Sequence, residues 1–471
     1  MSQKLKSLYI LCGVFLVITT VVVLLIVFTN GDEPLPSNPV SDIDVHTVNT
    51  EDITDIKVEN ESGEFHLVHG DEKFLIKGRE DVDIIDYKLT EIAENIADIK
   101  AMKIINDGLE NKDEYGLLQP HSTISVTLKD GSAYTVYIGD EAVGGGFYMY
   151  TSMTEHIYTY DQYVANAFLQ TRMELYTVGY IAQGLSLENF SSFIITSGND
   201  TIASIRKRPA PEDGTENLND YEMIAPLRRN GNINTIEGTD ASPGLITKFA
   251  AVIPNEAVCD DVNNDTLKEY YLKTPAYTLN VRYEDKNVNI ELSEKIDNEY
   301  YYVRLKDGKI IFKMDAAVIE FIENNTVYFM ERNLYLREIG LLSGLNVNIE
   351  GKEYDFRIGN SDSENVVDMT VIYNGESMFQ NEFRRLYMIL VTTEFNNIGG
   401  TITGQPYLTV RYDLKRGTSD TIKFYKINDT TVCADINGRE QYTLLKVDVD
   451  FFITNCIKYV NKQSVDQVGI K

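Results

Sequence analysis

Side chains that commonly perform catalysis or bind metal ions are sparse in this sequence. Histidine occurs only five times, and His66 and His69 lie in a strand-like stretch whose three-residue spacing directs them to opposite faces. Such a pair is poorly placed to share a metal ion. The sequence contains no nucleophile-elbow, zinc-protease or phosphate-loop motif. We therefore predict no catalytic residues, no cofactor and no metal site, and expect a protein that is not an enzyme.

An acidic run at residues 260–265, DDVNND, offers carboxylate and amide oxygens of the kind that bind calcium. It lacks the glycine and the distal glutamate of an EF-hand loop, so a solvated loop is the favoured interpretation. A general acid and base cannot be selected by sequence among 72 Asp and Glu residues.

Aromatic residues recur at corresponding positions of two strand-like segments, residues 147–150 (FYMY) and residues 300–302 (YYY). Alternate residues of a strand face the core, and the others can form an exposed aromatic ladder that binds a partner. We predict a candidate interaction surface at Tyr148, Tyr150 and Tyr301. The alternative is that these rings only stabilise their sheets.

The charge and the cysteine content bear on partners and cross-links. The formal net charge is −29 at pH 7, which repels nucleic acids and anionic lipid headgroups, so we predict no nucleic-acid partner. Four cysteines, one of them in an apolar N-terminal run, are too few for a disulfide scaffold and lack zinc-site spacing. Cys433 and Cys456 either pair, if their strand and helix are adjacent, or remain buried free thiols.

An uninterrupted apolar run from Leu8 to Thr29 predicts a transmembrane helix. It contains 22 residues and no charge, and at about 1.5 Å per residue such a helix matches the thickness of a hydrocarbon core. Lysines precede it and acidic residues follow it, which predicts a cytoplasmic N-terminus and an extracellular remainder. A cleaved signal peptide is the alternative, although its apolar core is normally shorter. The predicted anchor includes Leu8, Phe15, Leu24 and Phe28.

Three segments share one pattern of strands and helices, which indicates an internal triplication. Each begins with a proline and alternating apolar residues, and later reaches an aspartate that is suited to cap a helix. The prolines are Pro120, Pro275 and Pro406, and the aspartates are Asp161, Asp315 and Asp448. The separations are 41, 40 and 42 residues.

The predicted fold class is α+β. Strand-like segments alternate with period two, and helix-like segments beginning at Asp83, Ser242 and Phe379 are expected to cover the buried sheet faces. The expected architecture is an N-terminal transmembrane helix followed by tandem modules of antiparallel sheet and helix. The expected segments are a cytoplasmic N-terminus (1–7), the anchor (8–29), a linker (30–50), modules 1 to 3 (51–184, 185–342 and 343–463) and a tail (464–471).

Several short motifs in the first module resemble a known bacterial family. They are Tyr115-Gly116-Leu117, Pro120, Asp130-Gly131, Ile138-Gly139-Asp140 and Phe147-Tyr148. This pattern resembles the domain-of-unknown-function 4340 family over roughly residues 53–180, and it weakens in the second and third modules. The resemblance implies a membrane-anchored protein outside the cytoplasm, often encoded beside ABC transporters of the gliding-motility type, with no established enzymatic activity.

The leading functional prediction is a non-enzymatic accessory protein of the cell membrane. Its expected partner is an ABC transporter permease or another envelope protein, which its modules would contact outside the cytoplasm. The second hypothesis is a cell-surface ligand-binding or adhesive module that grips a glycan or peptide through the aromatic surface. The third is an envelope hydrolase, which requires a cleft that joins carboxylates across modules.

Overall fold

The computed structural model describes residues 43–105, 109–209, 219–363 and 368–468. The predicted anchor, the N-terminus before it and most of the linker lie outside these residues. Within the described ranges, no helix is both long and apolar enough to span a bilayer. The predicted α+β class is confirmed, because the described chain is mainly antiparallel sheet with interspersed helices.

The first large sheet is formed by strands between residues 53 and 160, and two helices accompany it. The strands up to this point are β1 (Ile43–Thr47), β2 (Ile53–Asn60), β3 (Gly63–His69), β4 (Phe74–Ile76), β5 (Asp98–Ala101), β6 (Lys103–Ile105), β7 (Ser122–Leu128), β8 (Ala133–Glu141), β9 (Phe147–Thr151) and β10 (Ile157–Tyr160). The helices are α1 (Asp86–Ala97) and α2 (Gln162–Leu169), with 3-10 turns at Thr50–Asp52, Leu109–Tyr115 and Arg172–Leu175.

The middle of the chain supplies the second large sheet and three short helices. Its strands are β11 (Phe190–Ser197), β12 (Asp200–Lys207), β13 (Tyr221–Ala225), β14 (Arg229–Asn230), β15 (Gly238–Thr239), β16 (Ser242–Pro243), β17 (Glu256–Cys259), β18 (Tyr277–Tyr283), β19 (Lys286–Leu292), β20 (Tyr300–Leu305) and β21 (Ile311–Asp315). The helices are α3 (Ile233–Ile236), α4 (Leu245–Ala250) and α5 (Asn264–Glu269), with 3-10 segments at Ala316–Glu323 and Thr326–Phe329.

The C-terminal part supplies the third large sheet and two helices of 12 and 15 residues. Its strands are β22 (Leu342–Ile349), β23 (Lys352–Gly359), β24 (Thr370–Tyr373), β25 (Glu376–Met378), β26 (Asn397–Ile398), β27 (Leu408–Leu414), β28 (Ser419–Lys426), β29 (Thr431–Ile436) and β30 (Glu440–Leu445). The helices are α6 (Gln380–Val391) and α7 (Lys446–Val460), and a 3-10 turn lies at Ile339–Leu341.

The three large sheets share one strand order over their central seven strands. The orders are β4-β3-β2-β7-β8-β9-β10, β13-β12-β11-β18-β19-β20-β21 and β24-β23-β22-β27-β28-β29-β30. In each sheet, two meanders are therefore joined through a central antiparallel pair. Each central pair also has a register shift directly after its first paired residue, at Ile53, Phe190 and Leu342. A bulge at one shared position bends and twists the three sheets in the same place.

The helices pack on the sheets through apolar faces, which arise from the spacing of apolar residues along each strand and helix. In β7, Ile124 and Val126 are fully buried while Ser125 and Thr127 face outward, as expected for a strand with one wet face. Along α1, buried Leu89, Ile92, Ala93 and Ile96 recur at helical spacing and form the stripe that packs inward. The helix-like segments predicted from Asp83, Ser242 and Phe379 thus correspond to α1, α4 and α6.

The predicted aspartate caps are only partly confirmed. Asp161 accepts hydrogen bonds from the Tyr163 and Val164 amides at the start of α2, and Asp315 accepts one from the Ala317 amide. The segment after Asp315 is, however, a 3-10 helix. Asp448 is not a cap, because α7 begins directly at the end of β30 and places Asp448 inside its first turn. There the carboxylate still interacts favourably with the helix dipole.

The described chain forms two compact units. The first contains the chain up to Val178 together with Glu256–Asp260, and the second contains Gly179–Asn255 and the chain from Asp261 onward. In the second unit, buried side chains of the second and third sheets belong to one continuous apolar core, which includes Phe193, Leu345 and Phe383.

Candidate functional site

Outward-facing rings of β8 and β9 form an ordered group, here named the aromatic face (Tyr137, Tyr148 and Tyr150). Tyr137 and Tyr150 lie opposite each other in the sheet, and their rings stack with centroids 5.6 Å apart. The predicted residues Tyr148 and Tyr150 therefore share one face of β9, where both are half-buried. The structure brings two of the three predicted tyrosines together.

A segment of the chain itself lies over the aromatic face. The Tyr115 ring packs on Tyr148 with centroids 4.7 Å apart, and the Lys112 ammonium lies 3.4 Å from the centre of the Tyr150 ring. Tyr115 and Leu117 form a small apolar cluster with the rings beneath them. Much of the ring surface is thus used within the fold, which favours the sheet-stabilising role for these tyrosines.

The prediction that Tyr301 belongs to an exposed surface is wrong. Its side chain is fully buried, and its hydroxyl donates a hydrogen bond of 2.5 Å to Glu323 Oε1. Burial and this bond raise the pKa of Tyr301. Because side chains alternate along β20, the outward rings are those of Tyr300 and Tyr302. The period of the strand was read correctly, but its phase was shifted by one residue.

The second sheet repeats the covering segment of the first. Residues 270–272 (YYL) stand at the same distance before a proline as residues 115–117 (YGL), and Tyr270 packs on Tyr302 at 4.9 Å. The middle residue is left-handed in both, with φ of 68° at Gly116 and 58° at Tyr271. We name this Tyr-x-Leu-x-x-Pro element the tyrosine strap. It is a feature of the fold that orders the outer sheet face.

Two motif glycines allow the strap to pack against the end of β8. A Cβ atom at Gly116 would lie 2.3 Å from Asp140 Oδ1, and one at Gly139 would lie 2.2 Å from the Tyr115 carbonyl oxygen. No side chain fits at either position without displacing backbone or the aspartate. The YGL and IGD motifs, which are distant in sequence, are therefore complementary surfaces of one contact.

His121 lies beside this contact and joins two carboxylates, which the sequence did not predict. Its Nδ1 is 2.7 Å from Glu61 Oε1 and its Nε2 is 3.1 Å from Asp140 Oδ1. The bond with Glu61, supported by that with Asp140, holds the pKa of His121 above its ordinary value of 6.5. The arrangement links the β2–β3 turn to the end of β8.

A row of asparagines occupies the outer face of the second sheet, here named the amide face (Asn280, Asn287 and Asn289). Asn280 and Asn289 are opposite each other, and Asn280 Nδ2 donates to the Oδ1 atoms of Asn287 and Asn289 at 2.6 and 2.5 Å. Next to the row, Glu291 and Arg304 form an ion pair of 2.6 Å. The sequence signal is asparagine at alternate positions of KNVNIEL, which contributes no ionisable group to mark a site.

The acidic run at residues 260–265 is not a uniformly solvated loop. Asp260 has a side chain only 2% exposed, and its carboxylate accepts hydrogen bonds from Arg172, Arg79 and the Tyr176 hydroxyl. Burial alone would raise the pKa of Asp260, but the bonds from Arg172 and Tyr176 outweigh it and hold the pKa low. Farther along the run, Asn263 caps α5. In the described ranges no cluster of three or more His, Cys, Asp or Glu side chains is arranged to hold a metal ion.

A groove with a volume of about 680 Å³ lies in the second unit. Its sides come from the end of α6 and the start of α7, and it carries an Arg332–Glu394 ion pair of 2.7 Å. The lining residues include Ile389, Thr392, Thr393, Asn396, Leu445 and Phe451. On the same two helices and the residue before α7, Met388, Val447 and Leu445 are 51%, 65% and 42% exposed. The groove and the helices that form it therefore carry exposed apolar side chains, which in a folded protein often mark a contact with a partner.

Cys433 and Cys456 are both buried free thiols, so the pairing alternative is not realised. Burial raises the pKa of both, to about 12 for Cys456. Neither thiol is prepared to react as a thiolate near neutral pH.

Comparison with protein families finds a match to the family described as Domain of unknown function (DUF4340), over residues 75–223. The predicted resemblance is confirmed. The matched region begins and ends later than the roughly 53–180 expected from the motifs, running from β4 to β13. Neither the curated proteins nor the solved structures provide a match to the chain.

Proposed function

We propose that this chain, whose residues 75–223 match the DUF4340 domain, is a membrane-anchored accessory protein. It would act by binding a partner outside the cytoplasm. Residues 8–29 would anchor it, with the N-terminus in the cytoplasm and the described sheets on the extracellular side. The partner that we propose is an ABC transporter permease or another envelope protein held in the same membrane. In this proposal the protein acts by binding alone and catalyses no reaction.

The observation that carries this proposal is the groove between α6 and α7. Exposed Leu445 lines a space of about 680 Å³, which is within the range of binding pockets, and Val447 and Met388 are exposed on the two helices that form it. Polar clusters elsewhere are used inside the fold, as when Asp260 bonds to two arginines. An extracellular loop of a permease that offers apolar side chains would bury this surface.

We also propose that the chain is a tandem of three homologous modules. Support comes from the shared strand order, the register shift at one position of each central pair, and the tyrosine strap in two of the modules. Three copies of one scaffold allow each outer face to diverge, while the common order of strands preserves the core.

The test of the binding proposal is co-purification from membranes solubilised in a mild detergent. Leu445→Glu combined with Val447→Glu should abolish recovery of the partner, because two charges would have to be buried in the contact. Val143→Glu is the matched control, since Val143 is 97% exposed in the β8–β9 hairpin. Recovery of the wild-type chain alone, or equal recovery of partner with both variants, would contradict the proposal.

Topology is tested separately with protease added to intact cells. The proposed orientation predicts cleavage of the C-terminal bulk from outside. Protection in intact cells, with cleavage only after lysis, would refute the extracellular placement.

A further inference from the structure

The amide face of the second sheet has the chemistry of a surface that binds a neutral polysaccharide. Hexose units present hydroxyl groups around their edges, which require side chains able both to donate and to accept hydrogen bonds. Asparagine amides supply two donors and one acceptor each. In β18 and β19, Asn280, Asn287 and Asn289 bring three such amides together on one side of the sheet.

The amides are held in place while retaining capacity for a ligand. Asn280 uses its Nδ2 to orient both neighbours through their Oδ1 atoms. In that arrangement the Nδ2 groups of Asn287 and Asn289 are directed away from the bonds that fix them. Both residues reach solvent, and Asn287 is exposed. Donors that are pre-oriented lose little side-chain entropy when a ligand binds.

The amide face is limited on one side by the tyrosine strap and is extended on the other by a hydroxyl group. Tyr302, on β20, is turned outward, and Tyr270 of the tyrosine strap packs on its ring at 4.9 Å, so the face ends at the strap on this side. Thr278 lies on β18 on the same side as Asn280, and its hydroxyl pairs with Thr196 at 2.6 Å. Neighbouring strands separated by about 4.8 Å place these groups in rows along which an extended chain can lie.

Charge decides which polysaccharide can bind. The net charge of −29 repels a polyanion. On the face itself Glu291 is paired with Arg304, and the two side chains are each 14% exposed. That ion pair adds no net charge, and Arg282, exposed and opposite Asn287, adds one positive charge to this side of the sheet. A single guanidinium on a chain of net charge −29 does not make the surface attractive to a polyanion, whereas its N–H groups can donate to sugar hydroxyl groups.

From these observations we propose that the amide face binds an uncharged, extended polysaccharide chain. The proposal does not rest on the groove between α6 and α7 or on a transporter partner. The corresponding outer positions of the third sheet differ, because Arg411 on β27 stands in the place of Asn280 and is opposite Thr421 on β28. Binding is therefore expected at the second sheet and not at the third.

The experiment is isothermal titration of the full chain, in a zwitterionic detergent without a sugar headgroup, with cellohexaose and with chitohexaose. Saturable binding of either oligosaccharide is expected, and no binding of polygalacturonate. The variant Asn287→Ala/Asn289→Ala should weaken binding at least about tenfold, equivalent to about 1.4 kcal/mol. Asn346→Ala, on the outer face of the third sheet, is the matched control and should bind as the wild type does.

Asn289→Asp provides a second variant of nearly unchanged shape, which removes two donors and adds a negative charge. It should lose binding while unfolding at the same temperature as the wild type. The proposal is overturned if neither oligosaccharide binds, if only polygalacturonate binds, or if the two amide-face variants bind as tightly as Asn346→Ala. Loss of the membrane partner in the co-purification experiment would leave this titration unaffected, so the two proposals fail independently.

Discussion

The contact around Asp260 gives a prediction whose magnitude can be worked out from the structure. The Asp260 side chain is 2% exposed, whereas its partners Arg79 and Arg172 are 27% and 32% exposed. Removing one partner of a fully buried ion pair costs about 3–5 kcal/mol. Because both guanidinium groups keep part of their contact with water, we expect Asp260→Asn to cost about 2 kcal/mol.

Tyr176→Phe provides a smaller step at the same contact. It removes only the hydroxyl that donates to Asp260 while the fully buried ring remains, and it should cost about 1 kcal/mol. For a unit of 150–250 residues, about 1 kcal/mol corresponds to about 2–4 °C in Tm. Tyr176→Phe should therefore lower the Tm of the first unit by roughly 2–4 °C, and Asp260→Asn should lower it by roughly 4–8 °C.

The assay combines thermal unfolding with hydrogen exchange of peptides that contain residues 172–178 and 256–260. Exchange should increase in both peptides of Asp260→Asn, because the carboxylate holds the two segments together in the first unit. Asp71→Asn, at an exposed position of the same unit, is the matched control and should remain within about 0.5 kcal/mol of the wild type. If Asp260→Asn behaves like this control in both measurements, the assigned role of the contact is wrong.

Three further predictions concern pH, a buried hydroxyl and the core. The pKa of His121 is raised in the fold, so its stabilising contribution is complete below the ordinary pKa of 6.5 and is lost as pH rises through the folded pKa. The difference in unfolding free energy between the wild type and His121→Gln, measured by urea unfolding from pH 5 to 9, should therefore shrink toward alkaline pH. A difference that stays constant would contradict the pairing of His121 with the two carboxylates. Tyr301→Phe leaves Glu323 with only its Lys295 partner and should cost about 1 kcal/mol by the same unfolding assay, whereas Tyr300→Phe, turned outward, should have little effect. Leu345→Ala, at a fully buried position of the core of the second unit, should cost about 2–5 kcal/mol, and a value below about 1 kcal/mol would show that the site is not close-packed.

Local residue patterns were sufficient to predict several elements of the fold. Alternation of apolar and polar side chains predicted strands such as β7, and apolar residues at helical spacing predicted α1 and α6. Glycine at Asp130-Gly131 predicted a turn that the structure forms with φ of 85° at Gly131. These features are decided by neighbouring residues, because side-chain period and backbone dihedral preference act over a few positions.

Other features depended on residues that are distant in the chain. The phase of β20, which buries Tyr301 and turns Tyr302 outward, is set by its packing on the core and not by its own three consecutive tyrosines. Asp260 is buried because Arg79 and Arg172 meet it from remote segments, which its acidic neighbours in sequence do not indicate.

The sequence by itself determined the α+β class, the apolar run proposed as an anchor, the family resemblance and most local elements, since these follow from composition and short-range periodicity. Tertiary structure alone decided which faces are covered, how His121 meets two carboxylates and where the amides of β18 and β19 line up. The physical reason is that strand register and side-chain contacts between distant segments are selected by the packing of the whole core, which no local pattern specifies.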